Sequence, residues 1–366
     1  MICLNHNLFF ELIRVALNSS SSSLSTVPSS DDWCRLFSMA EKQALLGVCF
    51  YGMKRLPKDQ TVNLPMGLKM RWLGMVATIQ CRNELMNKRC MELQKILSSF
   101  GFDSCILKGQ GIAAVYKENL VSLRQSGDID VWVKGGLNSI KTLAGKLNQK
   151  IRVTEQHADF TFFDDAEVEV HFIPSMLRNP LTDERLQSWF KKLENEQFAN
   201  ISADGLCVPT LEFNLVYLII HTYRHVFGEG VGLRQVMDYY MLLCSRPIRT
   251  ELRQKTKTVL QSLNLYEFAA GLMWVMHEVF LLPKDKMLFE PNKRHGEFLL
   301  DEIMRAGNMG QYDERLASVR QSSSLKSFFL MNVYTFRLFK FYPQETLLAP
   351  FVRMYVWIWR KRKGWL

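Results

Sequence analysis

Residues Leu107–Val133 read LKGQGIAAVYKENLVSLRQSGDIDVWV, and this stretch decides the fold. A short apolar run, CIL, ends at Lys108 and Gly109. A small-residue helical pattern, GIAAVY, follows, then a turn-like segment with Arg124. Asp128-Ile129-Asp130 opens a second apolar run. Successive side chains of a strand face opposite ways, so Asp128 and Asp130 share one face and Ile129 and Val131 the other. Two carboxylates placed like this repel and are costly to bury without a cation. Hard oxygen ligands of this kind suit Mg²⁺. Neutralising one of them is therefore expected to leave stability unchanged, or to raise it, when Mg²⁺ is absent. Upstream, a glycine between strand and helix lets backbone N–H groups approach a phosphate. A lone strand-Gly-helix is usually just a turn, and a lone D-x-D is more often a solvated strand end. In this order and spacing they form the minimum equipment for phosphoryl transfer.

LKG…GDIDVWV resembles the signature of the polymerase-β-like nucleotidyltransferase superfamily: a glycine-led turn, a helix, then D-x-D on the next strand. The LKG form, with an arginine shortly before GDID, is similar to the branch of uncharacterised bacterial nucleotidyltransferases. The pair here is Lys108-Gly109, with Gly111 two residues on, where the superfamily more commonly has Gly-Ser or Gly-Gly. The resemblance implies an α+β fold, a small mixed-sheet nucleotidyltransferase core flanked by N- and C-terminal helical regions. It implies transfer of a nucleoside monophosphate from an NTP to an acceptor hydroxyl, with pyrophosphate released. Two Mg²⁺ ions would sit on Asp128 and Asp130, and Lys108, Gly109, Gly111 and Arg124 would handle phosphates. The superfamily's third carboxylate lies on a strand beside D-x-D. VEVHF, residues 168–172, resembles that strand and makes Glu169 the match, followed by His171. By period two, Glu167 shares the face of Glu169 and stays its rival.

The 366 residues are 48% hydrophobic and 22% charged, ordinary for a folded chain of two or three domains. A net charge of +10 favours acidic partners, although a basic surface kept for solubility explains it equally well. The charge reads as spread along the chain, with its longest cluster at the C-terminus, so nucleic acid is less favoured as acceptor than a small molecule or a protein. No helix-turn-helix or RNA-binding aromatic signature supports a nucleic-acid module. Eight cysteines without a C-x-x-C pair point to free thiols in a reducing compartment. MICLNHNLFFELIRVAL lacks the basic start of a secretory signal, and no apolar run reaches membrane-spanning length. A cytoplasmic location is expected.

Periodicity divides the chain at 1–100, 101–175 and 176–366. Helices are expected over Asn7–Leu17, over DDWCRLFSMAEKQALLGVCFYGMKRL as one helix or a pair, and from about Gly67 to Phe100. A serine-rich loop, SSSSSLSTVPSS, separates the first two. Strands are expected at Cys105–Leu107 and Asp128–Val133, with a helix over Gly109–Tyr116 between them. HADFTFF and AEVEVHF read as a hairpin. Beyond Pro174 the chain is helical, with loops at Pro283, Pro291 and Gln321–Ser324.

His221 and His225 lie one turn apart, but HTYRH lacks the glutamate of H-E-x-x-H, so a packing pair is favoured over a metal site. Arg234 and Asp238 are spaced to pair. The resemblance places them with His225 along the cleft. The C-terminal FVRMYVWIWRKRKGWL is expected to be a core helix with a basic end, with contact at an anionic membrane surface the weaker alternative. A non-catalytic nucleotide- or partner-binding protein is the rival function. The presence of all three carboxylates argues against it.

Overall fold

The apolar runs on either side of the Gly109 turn form β1 (Ser104–Ile106) and β2 (Ile129–Val133) in a computed structural model that describes residues 7–18, 22–320 and 324–362. Three more strands complete the sheet: β3 (Arg152–Val153), β4 (His157–Phe160) and β5 (Val168–His171). The order is β1-β2-β5-β4-β3, with β2 and β5 parallel and the other pairs antiparallel. The sheet is therefore mixed, in an α+β fold, and HADFTFF with AEVEVHF forms the expected hairpin.

Before the sheet come α1 (Asn7–Leu17), α2 (Ser30–Lys42), α3 (Leu46–Arg55) and α4 (Met66–Ser99). The expected helix or pair is a pair. Ser29 and Asp32 form a capping box at the start of α2, and Ala44 at φ +55° breaks the chain before α3. Within the central region lie α5 (Gln110–Ala113), α6 (Glu118–Val121) and α7 (Gly136–Leu147). The helix expected over Gly109–Tyr116 is thus a single turn. After the sheet come α8 (Pro180–Ala199), α9 (Leu211–Phe227), α10 (Leu233–Ser245), α11 (Thr250–Ser262) and α12 (Tyr266–Phe280). The chain ends with α13 (Lys293–Ala306), α14 (Glu314–Arg320), α15 (Ser324–Phe336) and α16 (Pro343–Arg362).

Two apolar cores position the site. Phe9, Leu12 and Ile13 of α1 share the larger core with Phe213 and Tyr217 of α9 and with Phe268 of α12. Ile129, Val131 and Val133 of β2 face the smaller core, beside Ile140 and Leu143 of α7. Helix α4 joins the two. Trp72, Val76 and Ile79 enter the first core, and Met86, Cys90, Leu93 and Leu97 the second, at helical spacing. Trp132 points the opposite way from Val131 and stacks on Phe213 at 5.9 Å. Asp130, two residues earlier, follows the face of Trp132. The sheet thus turns one apolar face to α7 and leads its carboxylates into the gap beneath α9 and α10.

Some expectations fall outside the described residues: the first six positions, Ser19–Ser21 of the serine loop, Gln321–Ser323, and residues 363–366 at the end of the basic C-terminal segment. The C-terminal helix departs from expectation. None of residues 351–359 is buried, so this segment of α16 is not a core helix. No helix among the described residues is long and apolar enough to cross a membrane. The seven described cysteines are free.

Candidate active site

Register builds the site. The β2–β5 pairing sets Asp130 opposite Glu169, and the β4–β5 pairing sets His157 opposite His171. Carboxylate oxygens of Asp128, Asp130 and Glu169 converge within 4.8 Å of one another. Glu167 is exposed and stands outside this cluster, so register separates the two rivals that period two leaves together.

The carboxylates are not left to repel one another. Lys108 Nζ lies 3.1 Å from Asp130 Oδ2 and 3.9 Å from Asp128 Oδ2. His171 Nε2 lies 3.0 Å from Asp130 Oδ1 and 3.5 Å from Glu169 Oε2. Burial pushes the Asp130 carboxyl up, but Lys108 and His171 outweigh it and hold it below the usual carboxylate range. Burial works against charge on Lys108 and His171 too, and the facing carboxylates still raise both. His157, which the sequence did not single out, brings Nδ1 to 3.3 Å from Glu169 Oε2. Burial and the neighbouring His171 charge keep its pKa low.

The turn after β1 delivers Lys108. The Leu107 N–H donates to the Asp130 carbonyl at 2.9 Å, which extends the ladder one residue. Gly109 then turns the chain at φ +62° and ψ −115°, a conformation that favours glycine. Gly111 serves a different purpose. A Cβ there would sit 2.2 Å from the Ile106 carbonyl oxygen, and its N–H already donates to the Lys108 carbonyl. Close packing of α5 on β1 explains this glycine, and the structure places it away from the carboxylates, against a different cavity.

Asp238 does not pair with Arg234. Its carboxylate accepts two 2.8 Å bonds from Arg124 Nε and Nη2, and a 2.6 Å bond from the Tyr116 hydroxyl. Arg234 instead donates from Nη1 to the Gln125 carbonyl at 2.9 Å. The fork of Arg124 matches a carboxylate better than a one-turn neighbour can. Both arginines thereby anchor the segment that leads into Asp128. Arg124 Nη1, Ser126 Oγ and Arg234 Nε are buried without a hydrogen-bond partner. His221 packs edge-on against His225 at 4.3 Å, and His225 Nδ1 lies 2.7 Å from Glu229. Neither joins a metal-capable group among the described residues.

Two cavities meet at the carboxylates. The larger, about 1100 Å³, is lined by Lys108, Gly109, Arg124, Ser126 and Arg234. The smaller, about 630 Å³, is lined by His157, His171, Arg178, Tyr217 and Arg224. Lys108, Asp128, Asp130 and Glu169 line both.

The model of a family described as uncharacterised nucleotidyltransferase matches residues 29–281. The chain belongs to this family. Nucleotidyl transfer from an NTP is accordingly its class of activity. No curated protein matches the chain. The segment shared with other members of this nucleotidyltransferase family runs from α2 to the end of α12 and contains the whole sheet. Helices α13–α16 lie beyond it.

Helices α15 and α16 nevertheless wall the smaller cavity, through Phe328, Met331, Glu345, Val352, Arg353 and Trp357. Burial pushes the Glu345 carboxyl up to about 7, against the opposing charge of Arg178. An unfolded glutamate ionises near pH ~4.3. Above that value the unfolded chain gives up a proton that the folded chain keeps, so Glu345 costs stability as pH rises. Glu345→Gln is expected to raise unfolding free energy by about 3–4 kcal/mol near pH ~8 and to change it little near pH ~4. Urea unfolding at the two pH values checks this, and a variant gaining nothing at the higher pH refutes it.

Proposed function

We propose that this nucleotidyltransferase moves a nucleoside monophosphate from an NTP to a hydroxyl of a small-molecule or protein acceptor and releases pyrophosphate. The reading rests on one observation: the carboxylates of Asp130 on β2, of Asp128 just before it and of Glu169 on β5 converge where two cavities meet. Asp130 Oδ2 is buried and makes no hydrogen bond of good geometry, even with Lys108 Nζ 3.1 Å away. A buried carboxylate oxygen of that kind suits a cation, and an all-oxygen donor set suits Mg²⁺. Two Mg²⁺ ions held by Asp128, Asp130 and Glu169 would grip the triphosphate oxygens and lower the acceptor hydroxyl's pKa.

The chain's own residues divide the remaining work. The triphosphate lies in the larger cavity, where the free Nη1 of Arg124, Ser126 Oγ and Arg234 Nε donate to it. Gly109 presents no side chain to block the approach of the phosphates. The acceptor enters through the smaller cavity, between Tyr217, Arg178 and Arg224. Its hydroxyl oxygen bonds to the α-phosphorus as the bond from that phosphorus to the bridging oxygen breaks. Pyrophosphate leaves with the electron pair. The hydroxyl proton passes to Glu169, which is part-exposed and can hand it to water. Lys108, drawn off the aspartates, offsets charge on the leaving group. His171 Nε2 fixes the orientation of Asp130.

The test incubates the protein with labelled NTP and Mg²⁺, first with total tRNA and then with a cell extract cleared of nucleic acid. Label is expected on a metabolite or on protein. Label on RNA, with a steep salt dependence, overturns the choice of acceptor. Label on nothing overturns the transfer reading.

A further inference from the structure

The chain's positive charge is concentrated at one end, and is not spread along the sequence. Residues 324–366 hold eight Lys or Arg and one Glu, a net +7 in a chain of net +10. The single acid, Glu345, is buried, but Arg337 is paired with Glu302 and Arg353 is part-buried, so among the described side chains the outward charge is that of exposed Lys326, Lys340, Lys361 and Arg362. The same helices expose a great deal of apolar surface. Phe329, Val333 and Phe336 follow one another at i, i+4 and i+7 along α15 and are 66%, 71% and 59% exposed. Phe351, Met354, Tyr355 and Ile358 repeat the pattern along α16, and all are exposed. Lys361 Nζ sits 5.2 Å from the ring of Trp357, itself exposed. A chain whose only partner is water rarely leaves stripes of this size open.

We propose that α15 and α16 dock this protein on an anionic lipid surface. Aromatic and aliphatic side chains would enter the headgroup boundary, and the basic residues would meet lipid phosphates. The chemistry fits point by point. A helix lying in the interface carries a large apolar face with Phe, Trp and Leu, and a basic face beside it. Basic residues near an anionic leaflet each add attraction that fades within a Debye length. Helix α16, with 20 residues, is about 30 Å long, ample for lying flat. It is not a spanning helix.

Two other occupants fit less well. A second copy of the chain in a two-fold contact would set exposed Lys326, Lys340, Lys361 and Arg362 against their own copies. A nucleic acid would use the basic residues and the aromatics, but it would leave Val333, Leu347, Met354 and Ile358 uncovered. Docking would also hold the smaller cavity beside the lipid, because α15 and α16 form part of its wall.

The test uses the full chain and vesicles of phosphatidylcholine, alone or mixed with phosphatidylglycerol. The protein is expected to sediment with the mixed vesicles only, and less as salt rises. Lys361→Ala combined with Arg362→Ala should weaken this binding about 30-fold. Phe351→Ser combined with Tyr355→Ser should weaken it at least about 10-fold. All four residues are exposed, so unchanged circular dichroism is expected to accompany the loss. Failure to sediment with either vesicle overturns the proposal. So does RNA that displaces the vesicles and binds more tightly than they do. Apolar variants that dissolve an oligomer and leave vesicle binding intact would assign the surface to self-association instead. None of these readouts depends on the transferase reaction.

Discussion

Asp130→Asn is expected to cut nucleotidyl transfer by about 1000-fold or more. On the proposed mechanism, Asp130 is one of the three carboxylates that would hold the ions, which would supply several kcal/mol of charge stabilisation in the transition state. Each ~1.4 kcal/mol lost is a factor of ten in rate. The same substitution should also weaken the fold, opposite in sign to what a bare pair of aspartates suggests. Asp130 lies between Lys108 and His171, and all three are largely buried. Removing its charge leaves two buried bases short of a partner, a loss of about 3 kcal/mol. The Asp130 carboxyl is held below its ordinary range, so its stabilisation is present above about pH 4 and fades as pH falls through the folded value. The deficit of the variant should shrink in acid accordingly. Transfer assays and urea unfolding in chelator check both halves. Wild-type activity would remove Asp130 from the mechanism, and a stability gain in chelator would show that repulsion governs the cluster after all.

That reversal of sign marks where sequence reading stops. The D-x-D strand, the glycine turn and the hairpin are local patterns, visible as period-two alternation and as a break between two apolar runs. Convergence of Asp128 with Asp130 follows from the strand alone. Convergence with Glu169 needs the parallel register of β2 and β5, which no local signal carries. Lys108 reads as a phosphate ligand in a list of residues. Only the turn at Gly109 shows that its ammonium folds back onto the aspartates. His157 was legible as a strand residue, but its position across from His171 was not. Helix α16 departs from its expected place in the core for a related reason. Its apolar residues predict burial, and periodicity cannot tell a stripe facing a core from one facing outward.

The Arg234–Asp238 pair fails in the same way, and its correction has a measurable consequence. Spacing by one helical turn offers a pair worth a few tenths of a kcal/mol. Tertiary structure offers Asp238 the two-pronged guanidinium of Arg124, with both residues buried. Arg124→Ala is therefore expected to cost about 3–5 kcal/mol of stability, because it strands a buried carboxylate that only the Tyr116 hydroxyl still serves. Arg124→Lys should recover little, since a single ammonium cannot reproduce the fork. Arg234→Ala should cost far less, as its bond goes to the Gln125 carbonyl and leaves Asp238 paired. In a double-mutant cycle, Arg124→Ala with Asp238→Asn should be milder than the sum of the singles by about 2 kcal/mol. Nucleotide affinity should fall along with stability, since Arg124 opens the segment through Gln125, Ser126 and Gly127 that positions Asp128. Urea unfolding and calorimetry with Mg²⁺ and NTP separate the two effects. Additive losses in the cycle would return Asp238 to Arg234. Unchanged affinity in a folded Arg124 variant would reduce this arginine to a strut beneath the site.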